Sequence, residues 1–137
     1  KNGAMVNYNS NTINTKQVIK NGALQTWVFG PSLIDNEGKA NKIFNTSSYI
    51  KKTNPRTAIG YYEPGHYCFV IVDGRKKGYS RGMTLQELAL VFEKLGCKVA
   101  YNLDGGHSSF MTKGTNLINK SYQPDTAITD CIYICEP

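Results

Sequence analysis

The chain has 137 residues, of which 40% are hydrophobic and 19% charged, with a formal net charge of +6. That length supports one domain, and no apolar run reaches the ~18–20 residues that a membrane-spanning helix needs. The sixteen Lys and Arg are scattered, densest at Lys51-Lys52 and Arg75-Lys76-Lys77. A nucleic-acid stripe would be denser, so nucleic acid is not expected, which leaves a solvated basic surface or a phosphorylated partner.

In chain order, residues 1–25 form a poorly patterned N-terminal segment rich in Asn and Thr, with one short strand expected near Gln17-Val18-Ile19. Lys1 is not Met and no basic-then-apolar leader opens the chain, so it reads as a processed or excised piece. Residues 26–137 are expected to form the domain. Thr26 to Leu33 reads as an edge strand bent at Gly30-Pro31. Thr57 to Glu63 and Tyr67 to Asp73 read as a hairpin around Pro64-Gly65-His66. His66 is expected to be exposed and idle.

Thr84 and Glu87 have capping-box spacing. Leu85, Leu88, Ala89, Phe92 and Leu95 then share one helical face, and Gly96 is placed to end the helix. Lys98 to Leu103 returns as a strand. Phe110-Met111-Thr112 and Asn116-Leu117-Ile118 form a second hairpin about Lys113-Gly114, and Ala127 to Cys135 reads as a last strand. The expected class is α+β: a mixed β-sheet, one well-capped helix over 84–95, and ligand loops at strand ends. The cysteines at 68, 97, 131 and 135 have no zinc spacing. They read as free structural thiols, with one cross-strand disulfide as the alternative.

The chemistry concentrates in Asn102-Leu103-Asp104-Gly105-Gly106-His107-Ser108-Ser109. A carboxylate, two glycines, a histidine and two hydroxyls after a strand present backbone N–H groups and side-chain donors to an oxyanion or sugar-phosphate. Asp73-Gly74 repeats the strand-end carboxylate. Two such groups can flank a glycosidic carbon, or each can simply cap its own turn. Arg56 and Arg75, two of only three arginines, offer planar forks for phosphate or ion pairs that tie loops together. His107 can serve as acid, base or phosphate donor. Asn102, Asp104 and Asp73 can alternatively hold a divalent cation through oxygens. Tyr61, Tyr62, Tyr79 and Tyr122 present faces for a sugar ring or for packing. Gly78-Tyr79-Ser80-Arg81-Gly82 matches a serine-nucleophile pattern, with Asp104 and His107 following in hydrolase order. The intervening Gly74 to Lys77 and the closeness of Asp104 to His107 argue against that reading.

Arg56-Thr57-Ala58-Ile59-Gly60, Val72-Asp73-Gly74-Arg75, Gly78-Tyr79-Ser80-Arg81-Gly82-Met83-Thr84 and the Asn102–Ser109 loop occur in one order and spacing. Together they resemble the phosphodiester glycosidase family, with Trp27-Val28-Phe29-Gly30-Pro31-Ser32-Leu33 similar to its F-G-P-x-L segment. The likeness covers roughly residues 26–135. It implies hydrolysis of a sugar-1-phosphodiester at the sugar C1–O bond, in an extracellular or cell-envelope setting, without a required cofactor. The resemblance marks Asp104, Asp73 and Arg56 as catalytic candidates. Candidate substrate-binding residues are Arg75, Thr57, Ser80, Asn102, Gly105, Gly106, His107, Ser108 and Ser109. The commonest family loop has a third glycine where this chain has His107. Residues 1–25 show no counterpart of the family's Asn-Gly-Gly-aromatic segment, which leaves two expectations: a detached segment or second copy completes the domain, or the chain is inactive as it stands. The alternative from another class is a non-catalytic envelope domain that binds phosphorylated glycans.

Overall fold

The computed structural model describes residues 2–9 and 11–135. Helix α1 (Thr15–Lys20) and a single helical turn, α2 (Ser48–Lys51), precede the hairpin of β1 (Arg56–Glu63) and β2 (His66–Val72). Helix α3 (Leu85–Leu95) then leads to β3 (Val99–Asn102), a 3-10 turn at Gly106–Ser108, and a small hairpin of β4 (Thr112–Lys113) and β5 (Asn116–Leu117). The main sheet has the order β2-β1-β3.

The class is α+β as expected, but both pairings in this sheet are antiparallel rather than mixed. Central β1 pairs Gly60 with Cys68 on one side and with Ala100 on the other. Side chains alternate across a strand. Ala58 and Tyr62 of β1, Cys68, Val70 and Val72 of β2, and Ala100 of β3 therefore all meet α3 in one core with Leu85, Leu88, Ala89 and Phe92. Leu33, Ile34 and Phe44 close that core.

Helix α3 begins and ends where its capping signals put it. The Thr84 hydroxyl accepts from Glu87 N–H, the Glu87 carboxylate accepts from Thr84 N–H, and Gly96 closes the helix in the left-handed region (φ 73°). The hairpin also forms as read. His66 opens β2 and, although exposed, stacks on Tyr62 with ring centroids 4.3 Å apart.

Three expectations change. Residues 17–19 belong to α1, because Asn14 caps the N–H of Gln17 and a single side chain, Val18, is buried. Three residues with one apolar contact do not distinguish the two periods. Thr26 to Leu33 is not a regular strand: an isolated bridge at Ser32–Tyr101, flanked by backbone bonds from Gly30 N–H to Asn102 O and from Leu33 N–H to Ala100 O, ties its end to β3. Ala127 to Cys135 forms no ladder and is mostly exposed; its alternation of apolar residues finds no sheet edge to join. The cysteines are as expected: Cys68 within β2 and Cys97 just before β3 bring their sulfurs 3.7 Å apart, and all four are free thiols.

Gly60 is where sheet, helix and thiols converge. A Cβ there would stand 2.7 Å from both the Cys68 and Cys97 sulfurs and 2.8 Å from Phe92 Cε1. All three atoms are crowded into the core and have little room to retreat. Gly60→Ala is therefore expected to destabilise the fold by about 1–3 kcal/mol, measured as a lowered urea midpoint at unchanged slope. A wild-type midpoint would show that α3 can lift off β1 without penalty.

Candidate functional site

The site forms where the segment entering β1 meets the loop leaving β3. Past the end of the regular β1–β3 pairing, Leu103 N–H still donates to Thr57 O (2.9 Å) and Gly106 N–H to Pro55 O (3.2 Å). The glycine loop is thereby laid against residues 55–57. Gly105 permits this approach, since a Cβ there would sit 2.9 Å from Pro55 O. The result is a cleft of about 150 Å³.

Seven of the expected site residues line this cleft. They are Arg56, Arg75, Asn102, Asp104, Gly105, Gly106 and His107. Both Asp104 oxygens already accept hydrogen bonds, from Gly105 N–H and from the Ser108 hydroxyl, each at 2.9 Å. The carboxylate is thus oriented by its own loop while remaining exposed. Asn102 is buried and donates through Nδ2 to Gly30 O (3.1 Å) and Leu103 O (3.0 Å). Those bonds tie the cis Gly30-Pro31 segment to the cleft.

Arg56 is 3% exposed. Its Nε donates to Met83 O (2.8 Å), and one terminal nitrogen donates to Ile50 O (2.8 Å) and Lys52 O (2.5 Å). Burial lowers its pKa to about 10, so the guanidinium stays charged at neutral pH. Arg75 holds a left-handed backbone (φ 55°), a strained conformation for a side-chain-bearing residue. It donates to the Tyr49 hydroxyl (2.7 Å) and Asn54 Oδ1 (2.8 Å). The guanidinium packs 5.5 Å from the Tyr122 ring centre, and His107 stacks on the same ring at 5.4 Å.

Among the described residues the ion pairs are Lys39–Glu93 and Arg81–Glu87. Among these residues neither cleft arginine has a carboxylate partner, so the loop-tying ion pairs weighed for them are not seen there. Two guanidiniums held by neutral acceptors beside one cleft make a strongly anion-seeking surface.

The remaining expected residues do not line the cleft. Thr57 and buried Ser109 face each other behind it, with hydroxyls 3.4 Å apart, and Ser108 braces Asp104. Ser80 donates to Asp73 O (2.5 Å) and accepts from Gly82 N–H (3.2 Å), closing its own turn. The structure brings no histidine to Ser80 and leaves it outside the lining that holds Asp104 and His107. Asp73 turns away from Arg56. Its carboxylate accepts from Asn119 Nδ2 (2.8 Å), Lys120 N–H (3.0 Å) and the Tyr79 hydroxyl (3.0 Å), anchoring the segment that carries Tyr122. Among the described residues no cluster of three or more His, Cys, Asp or Glu is arranged to hold a metal ion, and Asp73 is not turned toward Asp104.

Phe29, from the F-G-P segment, also lines the cleft, as do Tyr49, Ile50 and Asn54, which were not named as site residues from the sequence. Asn54, directly before Pro55-Arg56, carried a signal in its position. Tyr49 carried none, because α2 is a single turn with no buried residue.

Three comparisons bear on this geometry. The phosphodiester glycosidase family model matches residues 1–135, a range that includes the first 25 residues, where motif reading found no counterpart. The chain is 29% identical over 136 residues to the SPbeta prophage-derived uncharacterized protein YomE of Bacillus subtilis strain 168, covering 98% of this chain and 21% of that protein. A crystal structure of a hypothetical protein from Synechocystis superposes with a TM-score of 0.55 at 31% identity, over 67% of this chain and 17% of that one. The chain thus spans about a fifth of the length of these relatives.

Asp73 makes a pH-dependent contribution to stability. Partial burial raises its pKa, but the bonds from Asn119, Lys120 N–H and Tyr79 outweigh this and hold it below the ordinary 3.8. The stabilisation is complete above that ordinary value and is lost as pH falls through the lowered one. Asp73→Asn is expected to cost about 1–3 kcal/mol at pH 6 and to lose less than wild type between pH 4 and pH 2. Parallel urea-midpoint profiles for the two proteins would contradict the anchor. With its cleft assembled and the match running from residue 1 to residue 135, the chain belongs to the phosphodiester glycosidase family.

Proposed function

We propose that the cleft binds a sugar-1-phosphodiester, as carried by a phosphorylated glycan, and hydrolyses it at the sugar C1–O bond. One observation carries the reading: two arginines with no carboxylate partner among the described residues share a cleft with one exposed carboxylate, Asp104. The guanidiniums of Arg56 and Arg75 suit the phosphodiester, and Gly105 and Gly106 allow backbone to approach it closely.

A phosphate monoester is already a good leaving group, so departure needs charge stabilisation more than a proton. That fits a cleft with one carboxylate where sugar hydrolases of ordinary glycosides use two. The C1–O bond breaks and its electron pair leaves on the phosphate oxygen, beside the arginines. Asp104 stabilises the positive charge growing at C1 and takes a proton from the water that adds there. The products are free sugar and a phosphomonoester. His107, stacked on Tyr122, lines the same cleft.

The test is incubation of the purified chain with an N-acetylglucosamine-1-phosphodiester, following release of sugar and phosphomonoester. Asp104→Asn and Arg75→Ala are each expected to lower turnover by about 100-fold or more. Wild-type rates in either variant remove that residue from the site. Tight binding of the diester without any product makes the domain a phosphoglycan-binding module instead.

A further inference from the structure

Arg75 has to reach the cleft from an unfavourable backbone conformation, and its side chain is only half-buried. Two neutral groups hold it. One terminal nitrogen of its guanidinium is shared between the Tyr49 hydroxyl (2.7 Å) and Asn54 Oδ1 (2.8 Å). Among the described residues no acceptor takes its Nε or its other terminal nitrogen, leaving those donors for a ligand.

Asn54 is in turn fixed at every polar atom. It is 8% exposed. Its Nδ2 donates to Tyr49 O (3.0 Å) and Lys52 O (3.1 Å), and its backbone exchanges both hydrogen bonds with Met83 (3.1 and 3.0 Å). Lys52 O and Met83 O also hold Arg56. The same few carbonyls therefore set the position of one arginine directly and of the other through Asn54. A neutral amide is suited to this task, since a carboxylate at position 54 would neutralise the charge that the cleft offers.

We infer that Asn54 and Tyr49 are positioning residues that hold the Arg75 guanidinium, through its one shared nitrogen, in register with Arg56 for the phosphoryl group. This inference rests on the proposed phosphodiester site. Neither residue needs to enter the bond-breaking step. Their effect passes through Arg75, which both holds the phosphoryl group and stabilises the charge leaving on it, so KM should rise and kcat should fall with it.

Tyr49→Phe is the decisive variant, because it removes one hydroxyl from an exposed ring and keeps the backbone carbonyl that Asn54 uses. With inorganic phosphate as the probe, measured by calorimetry, Tyr49→Phe is expected to weaken binding about 3–10-fold and Asn54→Ala about 10-fold or more. KM for the phosphodiester should rise by similar factors. In an Arg75→Ala background, Tyr49→Phe should have no further effect on phosphate affinity, because its contribution passes through Arg75. If wild type binds phosphate, Arg75→Ala loses it, and Tyr49→Phe and Asn54→Ala bind as wild type does, the positioning role is refuted while the phosphodiester site stands. A fall in kcat at unchanged KM would also overturn it, reporting a smaller folded fraction. If wild type binds no phosphate, both readings fall together.

Discussion

The site depends on two guanidinium groups brought to one cleft with no carboxylate among the described residues paired to either. A buried cation of this kind survives because its hydrogen bonds are satisfied by peptide carbonyls, which compensate the lost hydration without cancelling the charge. Arg56 does this with the carbonyls of Ile50, Lys52 and Met83. Arg75 uses a phenol and an amide. An acidic neighbour would stabilise either arginine more simply and would remove the field that draws a phosphate.

The architecture around them follows from that requirement. Strand β1 begins at Arg56, so the central element of the sheet delivers one arginine to its own end. The hairpin returns through β2 to Asp73 and Arg75, and β3 runs into Asp104. Helix α3 packs on the sheet face shared by Ala58, Gly60 and Ala100, leaving the strand ends free of packing duty. Asp73 contributes from behind: it fastens Asn119 and Lys120, which places Tyr122 against both Arg75 and His107.

Much of this was legible in the sequence where local chemistry decides structure. The capping box at Thr84 and Glu87, the left-handed stop at Gly96, and the hairpin around Gly65 depend on neighbours a few residues away. The residues of the Asn102-to-His107 loop announced themselves by composition. Long-range partners were not legible. Whether Asp73 faces the cleft or the Asn119 segment is settled by a contact 46 residues distant, and Ser80 satisfies a pattern while serving only its own turn. Tyr49 and Asn54 matter through a residue more than 20 positions away. The strand expected over Ala127 to Cys135 failed because alternation supplies a face but not an edge to pair with.

The most direct measurement is a crystal structure of the chain soaked with inorganic phosphate. The phosphate is expected between the guanidiniums of Arg56 and Arg75, within hydrogen-bond reach of both and beside the Gly105-Gly106 backbone. Phosphate found only on surface lysines, with the cleft empty at saturating concentration, would contradict the account.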